Sequence, residues 1–196
     1  MPKVTTYHYI KTSLLLLSLV TIGCFNVREP GQPSGDSGFI SPTSPEVLLN
    51  NFSDAYVSLN AENFTRCFNE NRFQFIPEPE VIGSVNVFQN WTLRKEERDV
   101  IINIRNRTVQ GNMNRLQFNS PRLNYLTPDS LEYTTNYSLQ LFTTDTLFST
   151  TELQGTARFI MVRNIARNEW FINLWQDNKT GNAQCWTQLK QRFVAP

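Results

Sequence analysis

The chain has 196 residues, carries 18 Lys+Arg against 17 Asp+Glu, and is 40% hydrophobic and 12% aromatic. That length and apolar content suit one globular domain with a substantial core, and 14 Phe, 4 Trp and 6 Tyr exclude a largely disordered chain. The near-neutral balance, with no basic stripe, argues against nucleic acid as a partner.

The chain opens with Lys3, His8 and Lys11, followed by the apolar run Ser13–Ile22. A run of about ten apolar residues matches the core of an export signal and falls short of the roughly 20 needed to span a bilayer. It ends at Gly23-Cys24, and Leu19-Val20-Thr21-Ile22-Gly23-Cys24 resembles a bacterial lipobox, which is cut before a cysteine that becomes lipid-modified. Thr21-x-Gly23 also reads as an ordinary signal-peptidase site, cut at the same bond. Residues 1–23 are therefore expected to be removed, with Cys24 as the lipid attachment point and the protein exported and anchored to the bacterial cell envelope. Phe25 stands where an Asp resembles an inner-membrane retention signal, so the outer membrane is the expected location where one exists. Cleavage leaves 16 Lys+Arg against 17 Asp+Glu, no histidine, and the cysteines Cys24, Cys67 and Cys185. In an oxidising compartment Cys67 and Cys185 are free to bridge, or they stay as buried thiols.

Residues 24–43 hold three Pro, three Gly and three Ser, a composition that builds no core and reads as a flexible tether. The domain is expected over 44–196. Ser44-Pro45-Glu46 is a helix start, with a Ser cap, Pro at the first helical position and an acid in the first turn. Leu48, Phe52, Ala55, Tyr56 and Leu59 then form one apolar stripe. Asn60 caps a second helix, from Ala61 to about Phe68, with Phe64, Cys67 and Phe68 on one face. Phe73–Ile76 is a short strand ended by Pro77 and Pro79. After Trp91 a third helix, Thr92 to about Arg107, turns Leu93, Val100, Ile101 and Ile104 inward, with Arg94, Glu97 and Arg98 assigned to its polar side.

Beyond residue 110 the apolar period changes from 3.6 to 2. Leu116–Leu126 is a strand made irregular by Pro121, and Pro128-Asp129 is a turn. Leu131, Tyr133, Thr135, Tyr137, Leu139 and Leu141 alternate with polar residues, one face dry and one wet. Leu153–Ile165 is apolar on both faces at Phe159-Ile160-Met161-Val162, which places it centrally. Ala166–Glu169 turns the chain into Trp170–Gln176, and Trp186, Leu189 and Phe193 mark a terminal helix. The expectation is an α+β domain: three N-terminal helices packed on one curved antiparallel sheet.

Several of these residues, in this order, carry a likeness. They are Ser44-Pro45-Glu46, Ala55-Tyr56, Phe64, Cys67-Phe68, Phe73-Gln74-Phe75, Trp91 before Glu96-Glu97, Trp170–Asp177, and Trp186-x-x-Leu189-Lys190-x-x-Phe193. The chain resembles the nuclear transport factor 2-like superfamily, a cone-shaped α+β fold, and more narrowly the bacterial lipoproteins that carry this domain after a lipobox and a Pro/Ser linker. The resemblance covers about residues 44–193. It implies a cone in which the superfamily's enzymes, such as steroid isomerases and small dehydratases, bury an acid, a His or a Tyr/Asp set.

Little catalytic chemistry is written into the residues themselves. The mature chain offers no histidine for general base work or for a histidine-containing zinc site, so a buried carboxylate is the remaining option. Asp177, after the aromatic Trp170–Trp175 strand, is the first acid to suspect; its other reading is a strand-end acid facing water or capping a turn. Glu78, Glu80, Glu96, Glu97 and Asp99 lack calcium-loop spacing and read as solvated charge. Arg158 and Arg163 fall on opposite faces of the central strand; turned inward, either is a candidate to hold an anionic ligand, and the plainer expectation is that they snorkel at a sheet end or pair with an acid. Six Asn-x-Ser/Thr sequons, at Asn51, Asn63, Asn90, Asn106, Asn136 and Asn178, are expected to be idle in a bacterial chain.

No catalytic residue, metal or cofactor is assigned. Tyr56, Trp91, Tyr137, Phe159 and Trp175 are candidates for the wall of a pocket, with Asp177 beside them, and for plain core. The expected role is non-catalytic binding of a small apolar ligand or a protein partner. The alternatives are a carboxylate-dependent isomerase or dehydratase, and a structural or assembly lipoprotein whose exposed sheet pairs with itself, as a homodimer, or with another protein. Cys24→Ser is expected to leave unprocessed precursor or to release the domain to the soluble fraction, read by membrane fractionation and intact mass. Native protein without an acyl mass at Cys24 would refute the anchor.

Overall fold

The computed structural model describes residues 38–82, 87–109, 113–146 and 152–194. The export signal, Cys24 and nearly all of the tether lie outside the described residues. Helix α1 (Pro45–Val57) starts as its sequence requires: the Ser44 side chain accepts from the Val47 amide, with Pro45 at the first helical position. Leu59 adopts a positive φ and turns the chain into α2 (Ala61–Arg66), capped by the Asn60 side chain accepting from the Asn63 amide. Strand β1 is Gln74–Ile76. Leu93–Glu97 is one π-helical turn that runs into α3 (Arg98–Asn106). The strands β2 (Arg115–Thr127), β3 (Ser130–Gln140), β4 (Glu152–Asn164) and β5 (Glu169–Lys179) follow, and α4 (Trp186–Val194) closes the domain.

The sheet order is β1-β5-β4-β3-β2. Strand β4 is central, as its two-sided apolar middle requires. Ladders β2–β3, β3–β4 and β4–β5 are antiparallel, whereas β1 pairs parallel to β5, so the sheet is mixed rather than wholly antiparallel. Parallel pairing follows from the connection: a long loop, the π-helical turn and α3 separate β1 from the meander, so no hairpin constrains its direction. Ser120 takes a positive φ beside Pro121, and the β2–β3 register shifts between Asn119 and Arg122. From that point to its end β2 is exposed on both faces, carrying Leu123, Tyr125 and Leu126 into solvent.

The core lies between the inner sheet face and the helices. Phe52 on α1 is its hub, with ring centroids 5.4 Å from Trp175, 5.4 Å from Phe64, 5.6 Å from Phe159 and 6.3 Å from Trp186. The domain's bonds begin ahead of Ser44. Asn51 clamps Ile40 through both backbone groups, and the Trp170 amide donates to the Pro42 carbonyl. Phe39–Thr43, counted with the tether by composition, is thus bound to the domain. The buried Asn51 and Asn63 are sequons that no glycan could reach. Phe52→Ala is expected to cost about 3–5 kcal/mol, read as a lowered denaturant midpoint; a loss below about 1 kcal/mol would show that the hub role is wrong.

Candidate functional site

Of the residues nominated from sequence, Tyr56, Tyr137, Phe159, Trp175 and Asp177 are 0–2% exposed, and Trp91 is 9% exposed. Phe159 and Trp175 pack directly at 5.6 Å between centroids, Tyr56 and Trp175 are joined through Trp186 at 5.7 Å and 4.8 Å, and Trp91 packs instead on Phe75 at 6.0 Å and Phe88 at 4.8 Å. These rings belong to the buried hydrophobic core. Among the described residues, the Tyr56 hydroxyl and the Trp175 and Trp186 indole N–H groups are buried with no partner at hydrogen-bonding geometry. Burial, with the Glu97 and Asp177 carboxylates nearby, drives the Tyr56 hydroxyl well above its ordinary pKa.

Asp177 is wholly buried, not a strand-end acid facing water. Its Oδ2 accepts from the Thr187 amide and hydroxyl, both at 2.7 Å, and its Oδ1 accepts from the Tyr137 hydroxyl at 2.9 Å. The Tyr137 hydroxyl in turn accepts from the Trp186 amide at 2.8 Å. A β5 carboxylate and a β3 phenol thus satisfy two of the orphan amides at the start of α4, where a negative charge also complements the helix dipole. Burial pushes the Asp177 carboxyl above the ordinary carboxylate range, and its Thr187, Tyr137 and Cys185 partners oppose the rise. Gly155 makes the reach of Tyr137 possible. A Cβ there would sit 2.6 Å from both the Tyr137 hydroxyl and the Asn178 carbonyl, so only glycine lets the ring cross β4.

The second polar centre was misread from sequence. Glu97, assigned to the polar side of the third helix and to solvated charge, is 1% exposed, and Lys190 is equally buried. The Lys190 ammonium forms a short ion pair with Glu97 Oε1, while Glu97 Oε2 accepts from the Trp91 indole at 2.6 Å. The ammonium also lies 3.5 Å from the Phe75 ring centroid and 3.4 Å from that of Trp175, a geometry in which ring quadrupoles offset part of the desolvation. Glu78 is buried too: its carboxylate accepts from the Lys179 amide at 2.6 Å. The signal for Glu97 and Lys190 was in the spacing. Glu97 falls four residues after Leu93 and four before Ile101, and Lys190 four after Trp186 and three before Phe193, each on its helix's apolar stripe.

Arg158 pairs with Glu132 at 2.6 Å, and Arg163 with Asp129 at 3.4 Å and with Asn168. Cys67 and Cys185 are free and buried; burial pushes the Cys185 thiol up to about 12 and raises the Cys67 thiol as well. Among the described residues no cluster of His, Cys, Asp and Glu is placed to hold a metal ion. A recess lies outside the cone. It measures about 730 Å³, is bounded by α2, the start of α3 and the β4–β5 turn, and carries Arg66, Arg94, Arg98 and Arg167 on its walls. Sequence reasoning missed it, because its arginines come from three separate segments.

The lysine has a signed pH signature. Burial lowers the Lys190 pKa to about 8 against Glu97, which opposes the drop. Between that value and the unfolded value of about 10.4 the unfolded chain binds more protons, so this group adds stability as pH rises through the window. Raised Cys67, Cys185, Tyr56 and Tyr137 groups act oppositely, so a difference measurement is required. Relative to the Lys190→Met/Glu97→Gln protein, the parent should gain about 1–2 kcal/mol between pH values of about 8 and 9.5, measured by denaturant unfolding. Parallel curves would show that burial does not lower the Lys190 pKa in the folded chain.

Compared by sequence, the chain matches no family model and no curated protein. Compared by structure, it aligns with a Novosphingobium aromaticivorans protein named as a candidate scytalone dehydratase, at TM-score 0.56 and 10% identity over 69% of this chain and 81% of that one. It aligns with a nuclear transport factor 2-like superfamily protein from Salmonella enterica at TM-score 0.52 and 10% identity, over 69% and 89%. The β subunit of benzoate 1,2-dioxygenase from Burkholderia mallei gives 0.52 and 10%, over 69% and 87%. These likenesses, with three helical segments leading into a five-stranded open sheet and a closing helix, give the domain the nuclear transport factor 2-like fold.

Proposed function

We propose that this is a non-catalytic nuclear transport factor 2-like domain, exported and held at the cell envelope by a lipid on Cys24, that works by binding at its outer surface. The observation that carries the reading is the state of the cone. Its aromatic residues fill it, and its strand carboxylate, Asp177, is saturated by donors that anchor α4. A general base needs a lone pair aimed at a substrate proton, and the Asp177 oxygens are aimed at Thr187 and Tyr137. A small apolar ligand or a protein partner is then met outside the cone.

A second reading has one specific observation in its favour. Asp177 and Tyr137 form a buried acid–phenol pair with raised pKa values, in a fold shared with a protein named as a candidate scytalone dehydratase. A screen against isomerase and dehydratase substrates, run with the parent and with Asp177→Asn, separates the two. The binding reading expects no turnover from either protein, with the variant destabilised by about 1–3 kcal/mol because a buried hydrogen-bonded carboxylate is altered. Turnover by the parent that disappears in a folded Asp177→Asn protein would overturn it in favour of catalysis.

A further inference from the structure

We infer that the arginine-walled recess is a binding site for an organic anion, a phosphate or carboxylate group joined to an apolar body. The inference rests on the reading that the domain binds at its outer surface. Three separate parts of the chain supply the four guanidinium groups: Arg66 from α2, Arg94 and Arg98 from the π-helical turn and the start of α3, and Arg167 from the β4–β5 turn. Two carboxylates oppose them, and both are already engaged. Glu70 is paired with Arg94, and Glu169 accepts from the Ser41 hydroxyl at 2.7 Å. Arg66 is fixed, with its guanidinium 4.0 Å over the Phe39 ring and bonded to the Asn63 side chain.

The side chains of Arg98 and Arg167 are different: among the described residues neither makes an ion pair or a side-chain hydrogen bond, and both are exposed. Two unengaged guanidinium forks at one recess, with a third held rigid beside them, match the planar bidentate geometry of phosphate and carboxylate oxygens. Excess positive charge in a concave site concentrates field on an entering anion. Phe68, Leu93 and Phe171 also line the recess, and give an apolar body something to lie on that inorganic phosphate would leave unused. A volume of about 730 Å³ falls within the range of small-molecule sites, about 300–1,000 Å³. The same chemistry is presented by a free aryl or acyl phosphate and by an anionic lipid headgroup.

The test is calorimetric titration of the full chain with 2-naphthyl phosphate and with monomeric dihexanoyl phosphatidylglycerol, against 2-naphthol and dihexanoyl phosphatidylcholine. At least one anion should bind, its neutral or zwitterionic counterpart should bind about tenfold more weakly or not at all, and added salt should weaken the complex. Arg98→Gln/Arg167→Gln should lose about tenfold in affinity or more with an unchanged melting temperature. Glu70→Gln, which releases Arg94, should bind more tightly. Preference for the aryl phosphate would assign a free anion, and preference for the phosphatidylglycerol a lipid headgroup. No binding of either anion, equal binding of the uncharged counterparts, or unchanged affinity in the double variant would overturn the inference. Turnover lost in Asp177→Asn would overturn the outer-surface reading while leaving these affinities as they are, so the two failures are distinguishable.

Discussion

The charge pair between Lys190 and Glu97 is the constraint around which the domain closes. An ammonium taken out of water is tolerated only where a counter-charge and further polar contacts meet it, and this one finds them on three different elements. Glu97 comes from the π-helical turn, Phe75 from β1 and Trp175 from β5. Helix α4 therefore has one depth and one rotation at which its lysine is satisfied. The widened turn at Leu93–Glu97 belongs to the same arrangement: the Glu97 amide reaches back five residues to the Thr92 carbonyl, and its carboxylate lies between Trp91 and Lys190. Such one-turn π segments are commonly found where a side chain must be re-aimed.

Asp177 and Tyr137 fix the other end of the same helix, near its first turn, so α4 is held by a carboxylate at the start and by a buried ammonium one turn on. The two centres lie close enough for the Asp177 charge to be felt at Lys190 and Tyr56. Charges of opposite sign within one aromatic mass specify an arrangement that hydrophobic packing alone would leave free to slide. Helix α4 is thus docked through polar contacts as well as through its rings.

Much of the fold was legible because it rests on period and punctuation. Ser44-Pro45-Glu46 and Asn60 start helices by satisfying amides locally, and Leu131–Leu141 alternates so cleanly that its buried face can be named from sequence. The direction of β1 was not legible, because three residues carry no information about which neighbour they join. The charged residues Glu97 and Lys190 were misplaced for a different reason. Residue type was weighted above position, although both stand on apolar stripes where burial was the geometric expectation. Asp177 could be singled out from sequence, but its contacts with Thr187 and with Tyr137 forty residues away are a conjunction that only the folded chain displays. The recess was invisible for the same reason, its arginines being ordinary surface residues until the chain brings them together.

The irregular course of β2 bears on how the protein behaves in a crowded compartment. Its outer edge is the open border of the sheet, and Leu123, Tyr125 and Leu126 make that border sticky as well as unpaired. A flat strand of this kind would template the addition of further strands, end on end, toward fibrous growth. Pro121 removes one donor from the border, Ser120 twists it, and the register breaks again between Tyr125 and Thr127. An incoming strand would find no continuous run of groups in phase with its own, so a single proline and its neighbour disfavour strand addition at this edge.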